Sequence, residues 1–365
     1  MLNVFEQALF MSMNMFTKQE KNLLHIIQSH FPLMPKPYAV IARALGMHED
    51  EVLDSLKSLK ERKILKEIRG IFNATLLDYH TVLIAFKLEE DLLPHAAQVV
   101  SNHPGVSHNY QRFHALNLWF TLSVPADIRL ETHIQALADM TACQQYFVFP
   151  ALKTFKRRVK FTIAETTDIS DVFQQGFPLP EHKNFSHRLS KHSECSGLAQ
   201  STQQCVMRML HEDLALHPEP FRDIARQCSI AEECFFDFVG DLLRSHKMSR
   251  FAGILYHRNL GFTTNAMVVW TVPASTLVAF AEEAVTYQAI SHCYERSVYP
   301  DWPYNLYTMI HSTSQREMQE IVESLATKFT IQEYEVLCSG AEHKKQRVDY
   351  FGKDIYEWDR KYVRG

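Results

Sequence analysis

"KPYAVIARALGM", Lys36–Met47, returns later in the chain as "EPFRDIARQCSI", Glu219–Ile230. Pro37 falls on Pro220, and Ile41-Ala42-Arg43 falls on Ile224-Ala225-Arg226. Downstream, Gly70-Ile71 falls on Gly253-Ile254, and His108, Tyr110 and Arg112 fall on His292, Tyr294 and Arg296. After an insertion in the second copy, Asn117-Leu118 meets Asn305-Leu306. Each copy closes on a basic segment, "KTFKRRVKF" ending at Phe161 and "HKKQRVDYF" ending at Phe351. The chain is a tandem duplication, and the fold question is the fold of one copy.

Each copy opens with helical periodicity. Thr17–Gln28 is apolar at helical spacing, Pro37–Leu45 is a short helix with proline at its start, and His48–Arg62 carries acids in its first turn. "ILKEIRGIFN" then predicts a small β-hairpin, and three helices with a hairpin make a winged helix-turn-helix. Next come a strand (Thr81–Leu88), a helix (Leu92–Asn102), two strands (Val106–Phe113, Leu116–Val124), a helix (Ile128–Thr141) and the strand "QQYFVFPAL". This order, β-α-β-β-α-β, is a ferredoxin-like unit. The predicted class is α+β, with winged helix-turn-helix domains over 1–80 and 201–262 and ferredoxin-like domains over 81–164 and 263–351. A Ser/Pro/His-rich linker is expected over 165–200, and a C-terminal tail over 352–365. Gly253 and Gly261 are read as wing turns.

The chain of 365 residues has a net charge of −4 and 46% hydrophobic residues, which suits packed cores and offers no general basic field to nucleic acid. The apolar N-terminus lacks a basic n-region and is not read as a signal peptide. No run reaches the length of a membrane span. Seven scattered cysteines without a CxxC pair are read as unpaired thiols, which suits a cytoplasmic location and argues against a cysteine-ligated metal. No metal site belonging to the protein is expected.

A winged helix feeding a ferredoxin-like unit resembles the Lrp/AsnC regulators, which makes transcriptional regulation the first alternative. The third helices argue against it. "HEDEVLDSLKSLK" begins with three acids, and "AEECFFDFVGDLL" has four acids and no Lys or Arg. Phosphate contacts need cations, so no sequence-specific DNA partner is expected.

The central hairpins carry the unusual chemistry. "SHCYERSVYPDWPYNLYTMIH", Ser291–His311, and its weaker copy "SHNYQRFHALNLWFTL", Ser107–Leu122, crowd imidazole, phenol and guanidinium groups together. Alternation places His292, Tyr294 and Arg296 on one face of a strand, and His108, Tyr110 and Arg112 likewise. With "SRFAGILYHRNLGF" before and "HKKQRVDYF" after, the "HCYER…PDWPYNLYTMIH" block resembles the siroheme decarboxylases, in the form where two related subunits are fused. The resemblance covers nearly the whole chain. It implies removal of the acetate carboxyls on C12 and C18 of siroheme, giving 12,18-didecarboxysiroheme for heme d1 or alternative haem synthesis. It also implies no added cofactor, because the iron belongs to the substrate. The implied partners are the paired halves of the chain, with further copies or related decarboxylase subunits, and no membrane.

The residue types suit that ligand, a flat apolar macrocycle ringed by carboxylates. Arg112, Arg250, Arg258 and Arg296 can bind carboxylates bidentately. Tyr110, Tyr294, Tyr304, Tyr307, Trp119 and Trp302 supply apolar area with a polar handle. Asn305 sits in the second-copy loop, where bonding the hairpin backbone across from Pro303 is the competing role. His257, His292 and His311 are candidate proton donors, and ligation of the substrate iron is equally open to one of them. His257, His292, Tyr294 and Arg296 make the expected catalytic set, with His108 and the remaining groups binding substrate. His257 aligns with Ala74 and Arg250 with Glu67, so the second copy is expected to carry the chemistry. A tetrapyrrole sensor would use the same residues.

Overall fold

The computed structural model describes residues 16–29, 31–157, 197–256 and 264–365. The chain divides into two compact units, one of residues 1–77 with 160–261 and one of residues 78–159 with 262–365. Each unit therefore combines the corresponding parts of both copies.

The first unit holds the helix-turn-helix segments. In the first copy these are α1 (Lys18–Ser29), α2 (Pro37–Leu45), α3 (Glu49–Glu61) and the strand β1 (Leu65–Phe72). In the second they are α6 (Gln200–His211), α7 (Pro220–Gln227), α8 (Glu232–Arg244) and β6 (Met248–Leu255). α2 ends where Gly46 takes a left-handed φ of 64°, its N–H reaching the Ala42 and Arg43 carbonyls. His48 and Glu51 form a reciprocal cap at the start of α3.

The expected wing hairpin is corrected. Residues 65–72 form one strand, and β1 pairs antiparallel with β6 of the other copy. The exchange satisfies the same backbone groups as a hairpin would, without a tight turn. Gly253 is correspondingly a mid-strand residue and not a wing turn. It lies opposite Ile68, and a Cβ there would meet the Ile27 side chain at 2.9 Å. Tyr38 Oη donates to the Ala215 carbonyl at 2.9 Å, and Asp213 accepts from the Ile68 N–H at 2.8 Å, so the copies are bonded to each other throughout this unit.

The expectation of unpaired thiols is also corrected. Cys205 and Cys228 form a disulfide with their Cα atoms 5.8 Å apart, tying α6 to the end of α7. Among the described residues, Cys143, Cys293 and Cys338 are free thiols. Among the same residues, no helix is long and apolar enough to cross a membrane.

The second unit is a closed eight-stranded barrel. Its strands are β2 (Tyr79–Lys87), β3 (Val106–Arg112), β4 (Leu118–Pro125), β5 (Gln145–Arg157), β7 (Thr264–Trp270), β8 (Ile290–Arg296), β9 (Leu306–Ser312) and β10 (Tyr334–Lys345). They run in the order β10-β3-β4-β2-β5-β8-β9-β7. Each copy supplies four neighbouring strands, and the seams are antiparallel pairs between copies, β3 with β10 and β5 with β8. Helices α4 (Leu93–Asn102) and α5 (Leu130–Met140) cover the first copy's strands, and α9 (Leu277–Ala284) and α10 (Gln315–Phe329) cover the second's.

Strand alternation separates three cores. Ile84, Phe86, Leu118 and Phe120 pack outward with Ala96, Val100 and Leu137 of the helices. Val268, Trp270, Leu306 and Ile310 do the same with Phe280 and Leu325. The barrel interior is a third cluster with no helical member, in which Trp119, Phe149, Trp302, Tyr304 and Tyr307 pack with Ala85, Met267, Val269 and Leu337.

One lysine of each basic closing segment is bonded to the opposite copy. Lys156 Nζ donates to the Val285 and Tyr287 carbonyls at 2.9 and 3.0 Å, at the C-terminus of α9. Lys344 Nζ donates to the Ser101 and His103 carbonyls at 2.7 and 3.0 Å, at the C-terminus of α4. Each lysine so caps a helix of the opposite copy, where carbonyls lack partners and the dipole favours a cation. The residues expected as a tail contain α11 (Asp354–Tyr362), which buries Ile355 and Trp358 against the first copy's outer core.

Candidate active site

His108, Tyr110 and Arg112 on β3, and His292, Tyr294 and Arg296 on β8, share the inner face of the barrel. Tyr110 lies directly opposite Trp119, and Tyr294 opposite Tyr307, both members of the interior cluster. The intervening residues point to the helices. Asn109 Nδ2 donates to the Ala97 carbonyl at 3.0 Å, and Cys293 belongs to the second outer core. Each strand begins with a register shift, between Val106 and His108 and between Ile290 and His292. The extra residue is Ser107 in one copy and Ser291 in the other. A bulge there turns the histidine inward although Val106 and Ile290 pack outward. Nothing in the residue pattern announced these bulges.

Both sets have the same internal geometry. His108 stacks on Tyr110 with centroids 6.2 Å apart, and His292 on Tyr294 at 5.9 Å. The Ser107 hydroxyl is 2.9 Å from His108 Nδ1, and the Ser291 hydroxyl 2.8 Å from His292 Nδ1. The Arg112 guanidinium lies 5.4 Å from the Tyr110 ring centroid, and that of Arg296 4.8 Å from Tyr294 and 5.4 Å from Tyr307. Ring quadrupoles of this kind hold a guanidinium in a desolvated place.

Each arginine also crosses a seam. Arg112 donates to the Leu337 carbonyl at 3.1 Å and to Ser339 Oγ, and Arg296 donates to the Phe149 carbonyl. Part of each fork is therefore committed to the opposite copy, while Nε of each is buried without a hydrogen-bond partner among the described residues. Desolvation pushes the Arg112 pKa down to about 10 and lowers that of Arg296; a guanidinium is not deprotonated at neutral pH, so both are cations. The inner wall accordingly presents two positive charges in an aromatic setting, suited to anionic groups on an apolar frame.

Trp119 and Tyr307 are almost fully buried at 1% and 2% exposure, so they build the interior wall. Trp302 comes from the loop inserted in the second copy. It packs on Trp119, Phe149 and Tyr304, and its Nε1 donates to Tyr307 Oη at 2.7 Å. Desolvation, with Glu335 nearby, raises the Tyr304 pKa to about 12, so its phenol is neutral. Asn305 is a backbone clamp. Its Nδ2 donates to the Val272 carbonyl at 2.8 Å and its Oδ1 accepts from the Val272 N–H at 2.9 Å, so the expected bonding near Pro303 is replaced by a clamp on the end of β7. Asn117 clamps Leu88 in the same way in the first copy. These bonds give the Asn305 amide a structural task.

His311 stands on β9 opposite Asn265. Arg250 lies on β6 opposite Ile71, in the helix-turn-helix unit. His257, Arg258 and Gly261 lie outside the described residues. Phe149, Tyr299 and the two bulge serines were not singled out from the sequence. Phe147 and Phe149 alternate in "QQYFVFPAL", a signal that could have found the first. Tyr299 is placed by long-range contact, its Oη donating to the Val148 carbonyl at 2.6 Å.

Residues 78–156 and 259–344 match the AsnC-like ligand binding domain, and residues 20–65 match the siroheme decarboxylase NirDL-like HTH domain. A siroheme decarboxylase of Hydrogenobacter thermophilus is 30% identical over 345 residues, covering 93% of this chain and 97% of that protein. The siroheme decarboxylase NirDL subunit of Paracoccus denitrificans is 27% identical over 82% of this chain and 86% of its own length. The crystal structure of the siroheme decarboxylase NirDL in co-complex with an iron-uroporphyrin III analogue superposes with a TM-score of 0.71 at 27% identity, covering 95% of this chain and 99% of that one. Similarity of this extent, over both copies and both kinds of domain, makes the chain a member of the siroheme decarboxylase family.

Proposed function

We propose that this chain is a carboxy-lyase that converts siroheme to 12,18-didecarboxysiroheme, in heme d1 synthesis. The observation that carries the reading is the pair of His-Tyr-Arg sets on the inner barrel wall, in a chain whose relatives of similar length are siroheme decarboxylases. Each step releases carbon dioxide from an acetate side chain. The electron pair left behind flows into the adjacent pyrrole-derived ring, and a proton then completes the methyl group. The protein's tasks are to hold the carboxylates, flatten the macrocycle against apolar walls and deliver that proton. Arg112 and Arg296 suit the first, the interior aromatics suit the second, and His292 is our choice for the third. His257 is a further candidate from the sequence. Iron enters with the substrate, and no other cofactor is called for by this chemistry.

Anaerobic incubation of the purified chain with siroheme, read by product mass, tests the proposal. Two successive losses of carbon dioxide without added cofactor are expected. Siroheme that binds to folded protein and is recovered unchanged would sink the enzymatic reading and favour a sensor.

A further inference from the structure

We infer that Ser291 is a positioning residue that keeps a proton on Nδ1 of His292, so that Nε2 is the nitrogen that works at the substrate. The inference rests on reading this wall as the decarboxylating site. Ser291 is the bulge residue of β8 and is buried at 4% exposure. Its Oγ lies 2.8 Å from His292 Nδ1 and 3.3 Å from the Met309 carbonyl. Met309 is the residue opposite His292 across the β8–β9 ladder.

A serine hydroxyl has one proton to give and lone pairs to receive with. If it gave that proton to Nδ1, the Met309 carbonyl would lose its hydroxyl donor. If it gives the proton to Met309, it must receive one from Nδ1, and both contacts become hydrogen bonds. A carbonyl can only accept, so the second arrangement is the one in which every polar atom of the buried group is used. The chain of donors runs from Nδ1–H to Oγ, and from Oγ–H to the carbonyl.

Two states of the ring satisfy this chain, the neutral Nδ1–H tautomer and the imidazolium. The neutral Nε2–H tautomer does not. Nε2 is therefore the atom that alternates between a lone pair and an N–H. It can give a proton to the new methyl carbon and recover it, or hold the substrate's iron, without disturbing Nδ1. Ser107 makes the matching contact with His108 at 2.9 Å. Among the described residues, no second bond of Ser107 Oγ fixes the direction of that one. The bulge is thus duplicated, but only the second copy orients its histidine through the carbonyl across the ladder.

The test is nitrogen NMR of the full chain carrying labelled histidine, followed through the neutral pH range without siroheme. The His292 signals are assigned by their loss in His292→Gln. Nδ1 is expected to stay protonated throughout while Nε2 titrates. Ser291→Ala is expected to give a mixture of tautomers, and Ser291→Thr, which keeps the hydroxyl, to restore the single one. Turnover of siroheme by Ser291→Ala is expected to fall at least about tenfold, with KM unchanged, and Ser291→Thr to recover it. A neutral His292 with its proton on Nε2 in the native protein would overturn the inference. So would an Ala variant whose turnover is native although its tautomer has changed. If Ser291→Ala does not fold, the native spectrum and the Thr variant decide. Native tautomers as expected beside untouched siroheme would sink the proposed reaction and leave this inference standing.

Discussion

The two copies place the same three side chains on the inner wall in nearly the same way, yet they differ in the loop above them and in the helix that covers them. His108-Tyr110-Arg112 and His292-Tyr294-Arg296 share their stacking and their ring-bound guanidinium. The second copy adds the loop that plugs the interior with Trp302, and the carbonyl that orients Ser291. The first copy is instead covered by α11, held through a buried relay. Gly105 N–H donates to His103 Nδ1 at 3.0 Å, His103 Nε2 meets His133 Nδ1 at 2.9 Å, and His133 Nε2 meets Asp359 of α11 at 3.1 Å. Arg364 closes the relay on the same carboxylate. Duplication has kept the wall, and we propose that it divided the labour, with the chemistry in the second copy and the α11 anchorage on the first.

The sharpest way to break that division is to exchange its histidines. His292→Ala is expected to lower turnover by about 10²–10⁴-fold, the usual worth of a general acid, with the fold intact, while His108→Ala does less. Single-turnover rates measured separately from siroheme binding check this. A first-copy substitution that abolishes turnover while the second-copy one spares it would reverse the assignment.

Trp302 sharpens the comparison from the side of packing. Trp302→Ala removes the centre of the interior cluster and is expected to cost about 3–5 kcal/mol of stability, read by denaturant unfolding. The first copy's shorter loop gives the same cluster Leu116, a smaller side chain, so Leu116→Ala is expected to cost less.

The seam arginines should behave alike. Arg112→Ala and Arg296→Ala each leave a seam carbonyl without its donor, so each is expected to destabilise the barrel by about 1–3 kcal/mol. Arg296→Ala is expected in addition to weaken siroheme binding more than Arg112→Ala, and titration with siroheme separates the two effects. Equal loss of binding from both would make the site symmetric.

The smallest effect is one of pH. Burial, with His133 and Lys344 nearby, holds the His103 pKa well below its ordinary 6.5, and burial lowers His133 against the opposing pull of Asp359. Both rings therefore resist protonation when α11 is docked. Their contribution is fully present above the ordinary histidine value and is lost as pH falls below it, at about tenfold per pH unit for each ring. Protection factors of residues 355–362, with the intrinsic pH dependence of amide exchange divided out, should fall on mild acidification, and His133→Gln should flatten the response. Protection factors that are independent of pH would remove the relay as the anchor.

Local periodicity carried much of this. Tandem matching of the "IAR" segments established the duplication, helical spacing located α1–α3, and alternation placed each His-Tyr-Arg set on one face. Those features depend only on neighbours a few residues apart, and side chains report them directly. Pairing across the copies depends on backbone N–H and C=O groups at strand edges, which are the same in every sequence. For that reason residues 65–72 read equally well as half of a hairpin or as a partner for β6, and only the folded chain chose. The same holds for the seams that give Arg112 and Arg296 their carbonyls, for the bulges at Ser107 and Ser291, and for a C-terminal helix whose two apolar anchors, Ile355 and Trp358, have meaning only against a core more than two hundred residues earlier in the chain. The sequence by itself determined that each His-Tyr-Arg set shares one face, and the tertiary structure decided what the seam arginines are bonded to, because those partners come from the other copy.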